Sequence, residues 1–521
     1  MKKLESVVRV LFAAMLAYVM VILAFFAGDA YHNKKAFLLG NATLIPMALG
    51  AVAVMAVALS LRRGGRSGSD TRRDRLALAL ALTLLAAQVY VGYCILFKTG
   101  WDPWSLVDTA RTIAGYGPGA NVAYFSRYPN NLPLLTLYAM LFRLNAALHL
   151  FAEPYDLMCV VIVNALANAL TCYLVYRIVR WLSGSGWGLA AFALAALLVG
   201  TSPWTVICYA DAFALIFPTL AFWLYTLRTH TRHGTALKLL AILLCGFAGY
   251  LFKPYTLIAP ASLLLASACG AIRRDPKRVA AVLAAALAAA LCFAGFCAVE
   301  ERGMAYVARY ALGFEPDREA AFGWQHFLLV GMNANSQGAY AQEDVDYSAS
   351  FDTRAERNRG DLRYALERLG RMGLGGWMAH LKSKTLITFN DGTFAWGREG
   401  NFYLEVYETP KLPGAGLFRE ILYEDGRCAP IAETLRQFAW LATLALALLS
   451  ALARREGQRG GALTALWLSI LGFGLYEALF EVRARYLYTY APCFIILAVL
   501  GLEACSTGLR GLWKGRQAGP D

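Results

Sequence analysis

Charged residues are scarce in this chain of 521 residues. They make up 16 %, whereas hydrophobic residues make up 58 %; soluble domains carry about a quarter charged residues. The 11 cysteines form no CxxC pair and no metal-ligand spacing, so neither a disulfide framework nor a zinc site is indicated. The chain also lacks internal repeats, low-complexity runs and a small-residue cleavage site after its first apolar stretch. We therefore expect a membrane protein whose first apolar stretch is a transmembrane helix and not a removed signal peptide.

Long apolar stretches recur along the whole chain. They begin near residues 7, 36, 76, 132, 157, 187, 212, 238, 256, 279, 432, 462 and 486. About 20 apolar residues can cross the bilayer as a helix. The pattern predicts an all-α polytopic membrane protein with about 12–13 transmembrane helices. Both ends of the chain are basic, which favours an even number of crossings. We therefore expect one segment between 132 and 227 to be short, re-entrant or split.

The net charge of +14 is unevenly distributed. The segment from Glu300 to Cys428 carries 15 Lys and Arg against 19 Asp and Glu, which leaves +18 on the rest of the chain. Much of that positive charge lies in short loops between apolar stretches. This is the positive-inside pattern of membrane proteins, and it argues against a nucleic-acid partner.

The charge pattern also suggests an arrangement of domains. We expect a transmembrane module over residues 1–299, with a polar "first loop" over 98–131. A "middle segment" over 300–431 would form a small extracytoplasmic domain, with a helix over Arg354–Arg371. Residues 432–521 would form the last transmembrane helices and a basic cytoplasmic tail. The first loop, the middle segment and the turn at 481–485 would then share the extracytoplasmic side.

Two carboxylates in the first loop are candidate catalytic groups. Asp102 and Asp108 lie near Trp101 and Trp104, and indole rings at the headgroup level would partly desolvate a carboxylate. Desolvation raises the affinity of a carboxylate for protons, which suits a general base. The alternative is a helix cap, because the following Pro103 is typical of a first helical position.

Several further polar residues interrupt or border apolar stretches. Asp211 lies between two such stretches, and ionisable groups at membrane depth are functional candidates. Lys253 precedes a proline inside another apolar stretch. Its side chain could contact a lipid phosphate or only extend to the membrane interface. Arg127 and the Asn130–Asn131 pair precede the helix near 132, where the asparagines could cap that helix or bind hydroxyl groups.

The turn near the end of the chain contains two unusual arginines. Arg483 and Arg485 are expected on the extracytoplasmic side, against the positive-inside bias. Arginines in that place suit an anionic lipid headgroup such as a phosphate or pyrophosphate. The alternative is an ion pair with the neighbouring Glu481.

The order of these features resembles the GT-C superfamily of membrane glycosyltransferases, which includes protein O-mannosyltransferases and aminoarabinose transferases. The features are an Asp in the first loop, the stretch YPNNLPLL, an acid after a Ser-Pro break, a Lys-Pro segment and a late ARYL motif. A D-E-x-x-Y-x-x-x-A pattern follows the first core helix in that superfamily. Asp102 and Ala110 match it, whereas Pro103 replaces the second acid and Leu106 the Tyr. The resemblance covers about residues 76–505, and YFSRYPNN is closer to a bacterial branch.

The resemblance implies a GT-C-like bundle that transfers a sugar, with inversion, from a polyprenyl-phosphate donor. The acceptor would be a glycan, glycolipid or protein at the outer face of a bacterial cell membrane. Asp102 would correspond to the base that activates the acceptor hydroxyl, and Asp108 or Asp211 could compensate for the missing second acid. Whether a divalent metal takes part stays open. The implied donor-phosphate contacts are Lys253, Arg483 and Arg485, and the implied acceptor or sugar contacts are Arg127, Asn130, Asn131 and Tyr486.

Other functions stay open at this point. A transporter or flippase for a lipid-linked sugar would also need a polar cavity, although transporters usually contain internal repeats. An envelope polymerase or ligase with a lipid-diphosphate donor would share the two arginines. A non-catalytic scaffold fits if Asp102 only caps a helix.

Overall fold

The computed structural model describes residues 2–29, 35, 37–61 and 70–517. Part of the basic stretch after the second apolar segment (62–69) and the last residues of the basic tail (518–521) lie outside this described part. Within it the chain forms 21 α-helices and one short two-stranded ribbon. The expected all-α polytopic fold is confirmed.

The helices follow one another with few long connections. The amino-terminal ones are α1 (Lys2–Phe25), α2 (Asn41–Leu61), α3 (Asp70–Cys94), α4 (Trp101–Ile113), α5 (Val122–Arg127), α6 (Leu132–Leu148) and α7 (Met158–Ser183). The central ones are α8 (Ser185–Ala195), α9 (Asp211–Ala214), α10 (Ile216–Thr226), α11 (Arg232–Tyr250), α12 (Ile258–Arg274) and α13 (Val279–Val307). The remaining ones are α14 (Trp324–Gly331), α15 (Gln342–Ala349), α16 (Arg354–Phe389), α17 (Ala415–Leu422), α18 (Ala429–Leu449), α19 (Gly457–Leu479), α20 (Ala484–Tyr488) and α21 (Ala491–Gln517).

Eleven helices of the described part are long and apolar enough to cross a membrane. Two shorter apolar helices, Ser185–Gly200 and Asp211–Thr226, both lie in the region 132–227, where an irregular segment was expected. The expected 12–13 segments are therefore present, but two of them, not one, are short. A spanning helix satisfies its own backbone hydrogen bonds, which explains why the apolar stretches adopt this form.

The carboxyl-terminal helix α21 is the central helix of the bundle. Residues 491–500 are buried on all of its faces. Its backbone packs closely on α18 at Gly501, where an added Cβ would lie 1.9 Å from the carbonyl oxygen of Leu446. Small residues permit such close helix contacts in membranes, where packing and not hydrophobicity drives association.

The middle segment contacts both the first loop and the helices of the bundle. The strand β1 (Phe97–Lys98) pairs antiparallel with β2 (Glu405–Val406), which ties the two polar regions together. The predicted helix begins at Arg354 as expected but continues past a kink at Gly373 to Phe389. Lys384 of that helix donates to three backbone carbonyls of the α14 end and of the chain around α19.

One spanning helix stands apart from the rest. No residue of α13 is buried, although its apolar part is long enough to cross the bilayer. The spanning segment continues to Leu312, beyond residue 300, where the middle segment was expected to begin. A helix that is apolar and exposed along its length is stable only with lipid around it.

We expect Gly501→Ala to lower the stability of the bundle. The added methyl group meets backbone atoms of α18 that cannot move aside alone, and overpacking of this kind costs about 1–3 kcal/mol. Gly508→Ala is the matched control. Gly508 lies on the same helix, and an added Cβ there meets nothing within 4 Å. Melting temperatures in detergent would show the difference. Equal melting temperatures for both variants would contradict the α18–α21 contact.

Candidate functional site

A cavity of about 890 Å³ lies where the polar regions of the chain meet. Its walls come from the first loop, the turn between α11 and α12, the end of α13, the middle segment and the turn before α20. The polar regions that were expected to share one side of the membrane thus face a single space. Eight of the ten predicted site residues line it, namely Asp102, Arg127, Asn130, Asn131, Lys253, Arg483, Arg485 and Tyr486.

The backbone around Asp102 is held in an unusual conformation. The Gly100 N–H donates to the carbonyl oxygen of Asn401 at 2.8 Å, and a Cβ at Gly100 would lie 2.6 Å from that oxygen. Trp101 follows with φ 51°, in the left-handed region that is strained for residues with a side chain. Such strain persists only where the surrounding structure fixes it, and it clusters at functional sites. The first loop therefore places Asp102 against the middle segment.

The carboxylate of Asp102 does not cap a helix. Helix α4 begins at Trp101, so Pro103 is its third residue and not its first, and no side-chain cap bond is present. Instead, the Tyr209 hydroxyl donates to Asp102 Oδ2 at 3.1 Å. Burial raises the pKa of Asp102, although Arg485 and the Tyr209 hydrogen bond oppose this effect. The result is a carboxylate of raised proton affinity at the cavity wall.

Asp211 lies behind the cavity wall and not in it. Its carboxylate is fully buried and lies 3.2 Å from Lys253 Nζ and 3.7 Å from Arg485 Nη1. A buried charge is stable only when it is paired, and this acid pairs with both cations. Asp211, which was expected as a catalytic candidate, therefore positions the cations and does not itself line the cavity.

Glu399, which sequence reasoning missed, is a second buried acid beside the arginines, and it lines the cavity. It lies 3.7 Å from Arg485 Nε and 3.4 Å from Arg483 Nη1. Arg483 also donates to Glu481 at 3.3 Å, so the expected pair with Glu481 is present within a larger network. The only local signal for Glu399 is the two glycines around it, Gly397 and Gly400, both with positive φ.

Aromatic rings hold the two cations from the sides. The Arg485 guanidinium lies 4.6 Å from the centre of the Trp101 ring, and Lys253 Nζ lies 4.5 Å from that of Tyr209. Arg485 Nε and Nη1 are buried and make no hydrogen bond among the described residues, since each faces a carboxylate oxygen at 3.7 Å, that of Glu399 and that of Asp211 respectively. Trp101 Nε1 is also buried and has no hydrogen-bond partner in this part of the chain. Buried polar groups are usually satisfied, so the unpaired indole N–H beside Arg485 marks a polar place in the cavity wall.

The asparagines and Arg127 lie at the other end of the first loop. The Asn131 side chain is buried and donates to the Tyr124 hydroxyl at 2.7 Å. It makes no cap bond to α6, although it occupies the cap position. Arg127 and Asn130 are exposed at the cavity wall. Helix capping therefore does not explain why an asparagine stands at position 131.

Asp108 is not brought to the cavity. It lies six residues after Asp102 on α4, and six residues correspond to about 240° around a helix. Its carboxylate faces Lys98 and Arg111, and burial raises the pKa of Asp108. We find no group of three His, Cys, Asp or Glu side chains in the described ranges that could hold a metal ion. Among the acids that line the cavity, Glu301, Glu399 and Glu481 are paired with arginines.

Comparison with known families gives one match. The profile of a family described as "Conserved hypothetical integral membrane protein" matches residues 1–506. The chain belongs to this family. Curated proteins and solved structures return no match. The family description agrees with the membrane-spanning helices and specifies no substrate or reaction.

We expect strong energetic coupling between Asp211 and Lys253. Removing either partner leaves a buried charge with fewer partners, whereas the double variant Asp211→Asn/Lys253→Met removes both. The coupling energy of a contacting buried pair should be about 1–3 kcal/mol in a double-mutant cycle of unfolding free energies. The pair Asp29–Lys382, at 2.7 Å but exposed, is the control and should give less than about 1 kcal/mol. Additive effects at the buried pair would contradict the charge network.

Proposed function

We propose that the protein is a membrane glycosyltransferase that moves a sugar from a polyprenyl-phosphate donor to an acceptor hydroxyl. The acceptor would be a cell-envelope glycan, glycolipid or protein, at the outer face of a bacterial cell membrane. One observation carries the proposal: a carboxylate with raised proton affinity and two buried cations face one cavity. The order of motifs that resembles the GT-C superfamily agrees with it.

The position of α13 supports a substrate that arrives through the lipid. Met304 and Ala305 of this helix line the cavity, and no residue of the helix is buried in the bundle. The cavity wall is thus formed by a helix whose other faces lie in the bilayer. A polyprenyl tail could remain among the lipids there while its phosphate reaches the cations inside.

The chemistry follows from the position of charges. The acceptor oxygen bonds to the anomeric carbon of the sugar as the bond from that carbon to the phosphate oxygen breaks. The acceptor proton goes to the Asp102 carboxylate, and the electron pair of the broken bond stays on the phosphate. Arg485 and Lys253 then face the growing negative charge, a form of stabilisation usually worth the most in such sites. Attack opposite the departing phosphate inverts the anomeric centre.

The acids paired with the cations keep them in fixed positions. Asp211 and Glu399 fix Arg485 in one orientation, because its Nη1 and Nε each lie 3.7 Å from one of these carboxylates. Preorganised donors need no rearrangement as charge develops on the phosphate. Arg483 also lines the cavity, where it pairs with Glu399 and Glu481.

We expect Asp102→Asn to abolish release of polyprenyl phosphate. An amide cannot accept the acceptor proton, and loss of a general base lowers rates by about 10²- to 10⁴-fold. Asp108→Asn is the matched control, since this carboxylate lies on the same helix but away from the cavity. Purified protein would be supplied with a panel of polyprenyl-phosphate sugars together with glycosides as hydroxyl acceptors. Release would be measured for the wild type and both variants.

Three outcomes of that experiment would contradict the proposal. Undiminished turnover by Asp102→Asn would remove Asp102 as the base. Turnover only with lipid-diphosphate donors would indicate an envelope polymerase or ligase. Transport of a lipid-linked sugar in liposomes, without turnover of any donor, would indicate a flippase.

We also expect the acid side of the pH–rate profile to depend on Tyr209. Asp102 must be ionised to act as a base, and burial raises its pKa, so kcat/KM should begin to fall at a pH above the ordinary range of an Asp carboxyl. The Tyr209 hydrogen bond lowers that pKa. Tyr209→Phe should therefore move the acid limb to still higher pH. An unchanged limb would show that another group controls the profile.

A further inference from the structure

We infer that the end of the cavity beside α14 and α16 is a separate subsite for a hydroxyl-rich acceptor, formed by Gln325, His326 and Asn358. The inference rests on the proposed function and specifies where its acceptor binds. None of the three residues was singled out by the sequence. All three line the same cavity as Asp102.

Two amide side chains in this subsite lack partners. Gln325 Oε1 and Asn358 Oδ1 are buried, and neither has a hydrogen-bond partner in the described part of the chain. Both oxygens crowd Gly323, where an added Cβ would lie 2.4 Å from the first and 2.8 Å from the second. The glycine thus leaves room for two adjacent amides. Amides offer both donors and acceptors, which suits sugar hydroxyls.

The third group is a histidine whose hydrogen-bond role is fixed by its neighbours. His326 Nδ1 lies 2.7 Å from the Ser348 hydroxyl, and that hydroxyl donates to Asp361 Oδ1 at 2.8 Å. The single hydroxyl hydrogen is therefore used on Asp361, so Nδ1 carries the hydrogen that binds Ser348. The other ring nitrogen, Nε2, is left as an acceptor. Burial lowers the pKa of His326 to about 4, so the ring is neutral at neutral pH.

The subsite differs in charge from the rest of the cavity. Two cations near it are already bound: Arg357 donates to the carbonyls of Ser348 and Phe351, and Arg354 pairs with Glu301. Arg127, whose backbone carbonyl accepts from the Phe322 N–H, lines the same cavity. The two amides and the neutral imidazole carry no charge. A phosphate is attracted to the Arg485 end of the cavity, whereas an uncharged polyol suits the end with the two amides and the imidazole. The two ends thus suit the two substrates of one transfer reaction.

The two ends are joined at Glu481. Its side chain pairs with Arg483, and its backbone N–H donates to the carbonyl oxygen of Phe327 at 2.9 Å, directly after His326. An acceptor held by the amides would therefore be next to the turn that carries the arginines. One of its hydroxyls could then approach Asp102.

The test measures the two ends separately, by the melting temperature of the protein in nanodiscs. The probes are methyl α-D-mannopyranoside and methyl β-D-glucopyranoside for the subsite, and inorganic phosphate for the arginine end. We expect a glycoside and phosphate each to raise the melting temperature of the wild type. The glycoside shift should disappear in Asn358→Ala and in Gly323→Ala, while the phosphate shift remains. In Arg485→Met the phosphate shift should disappear, while the glycoside shift remains.

Gly323→Ala keeps the test valid if Asn358→Ala does not fold. Its φ of −91° suits alanine, so only the space between the amides is lost. Gly375→Ala, where an added Cβ meets nothing within 4 Å, is the control and should keep both shifts. A glycoside shift that survives both subsite variants, or is absent from the wild type, would overturn the subsite. Absence of the phosphate shift alone would count against the proposed function and leave the subsite standing.

Discussion

The candidate site depends on how charges are paired where water is excluded. Asp211 and Glu399 are buried acids, and each is shared between two cations. An isolated charge at such depth would be very unfavourable, so the acids and the cations must be placed together. This requirement explains why turns from distant parts of the chain converge on one cavity. It also fixes Arg485 at the cavity wall between these two acids.

The bundle and the polar regions contribute differently to that arrangement. The buried helix α21 and its close contact with α18 provide a rigid base, directly after the arginine turn. The first loop is then pressed onto the middle segment at Gly100, which places Asp102. By contrast, α13 forms one wall of the cavity although none of its residues is buried in the bundle. The result is a rigid charged centre with one side exposed to lipid.

The helices were predictable because hydropathy is local. Two were shorter than a full span, and those from Val279 and Arg354 were longer than expected. Asp102, Lys253 and Arg485 were predictable for a similar reason, since each is unusual among its immediate neighbours. Glu399 and the subsite amides were not, because their importance comes from partners far away in the chain. Asp108 was misplaced by the assumption that two nearby acids act together, although a helix directs them to different faces.

The central claim is that the buried cations bind the phosphate of a lipid-borne substrate. A structure of the protein in nanodiscs with a polyprenyl phosphate bound tests it most directly. The account predicts the phosphate within hydrogen-bond distance of Arg485 and Lys253, with the polyprenyl chain leaving past α13. A phosphate bound outside the cavity, with Arg485 untouched, would contradict the account.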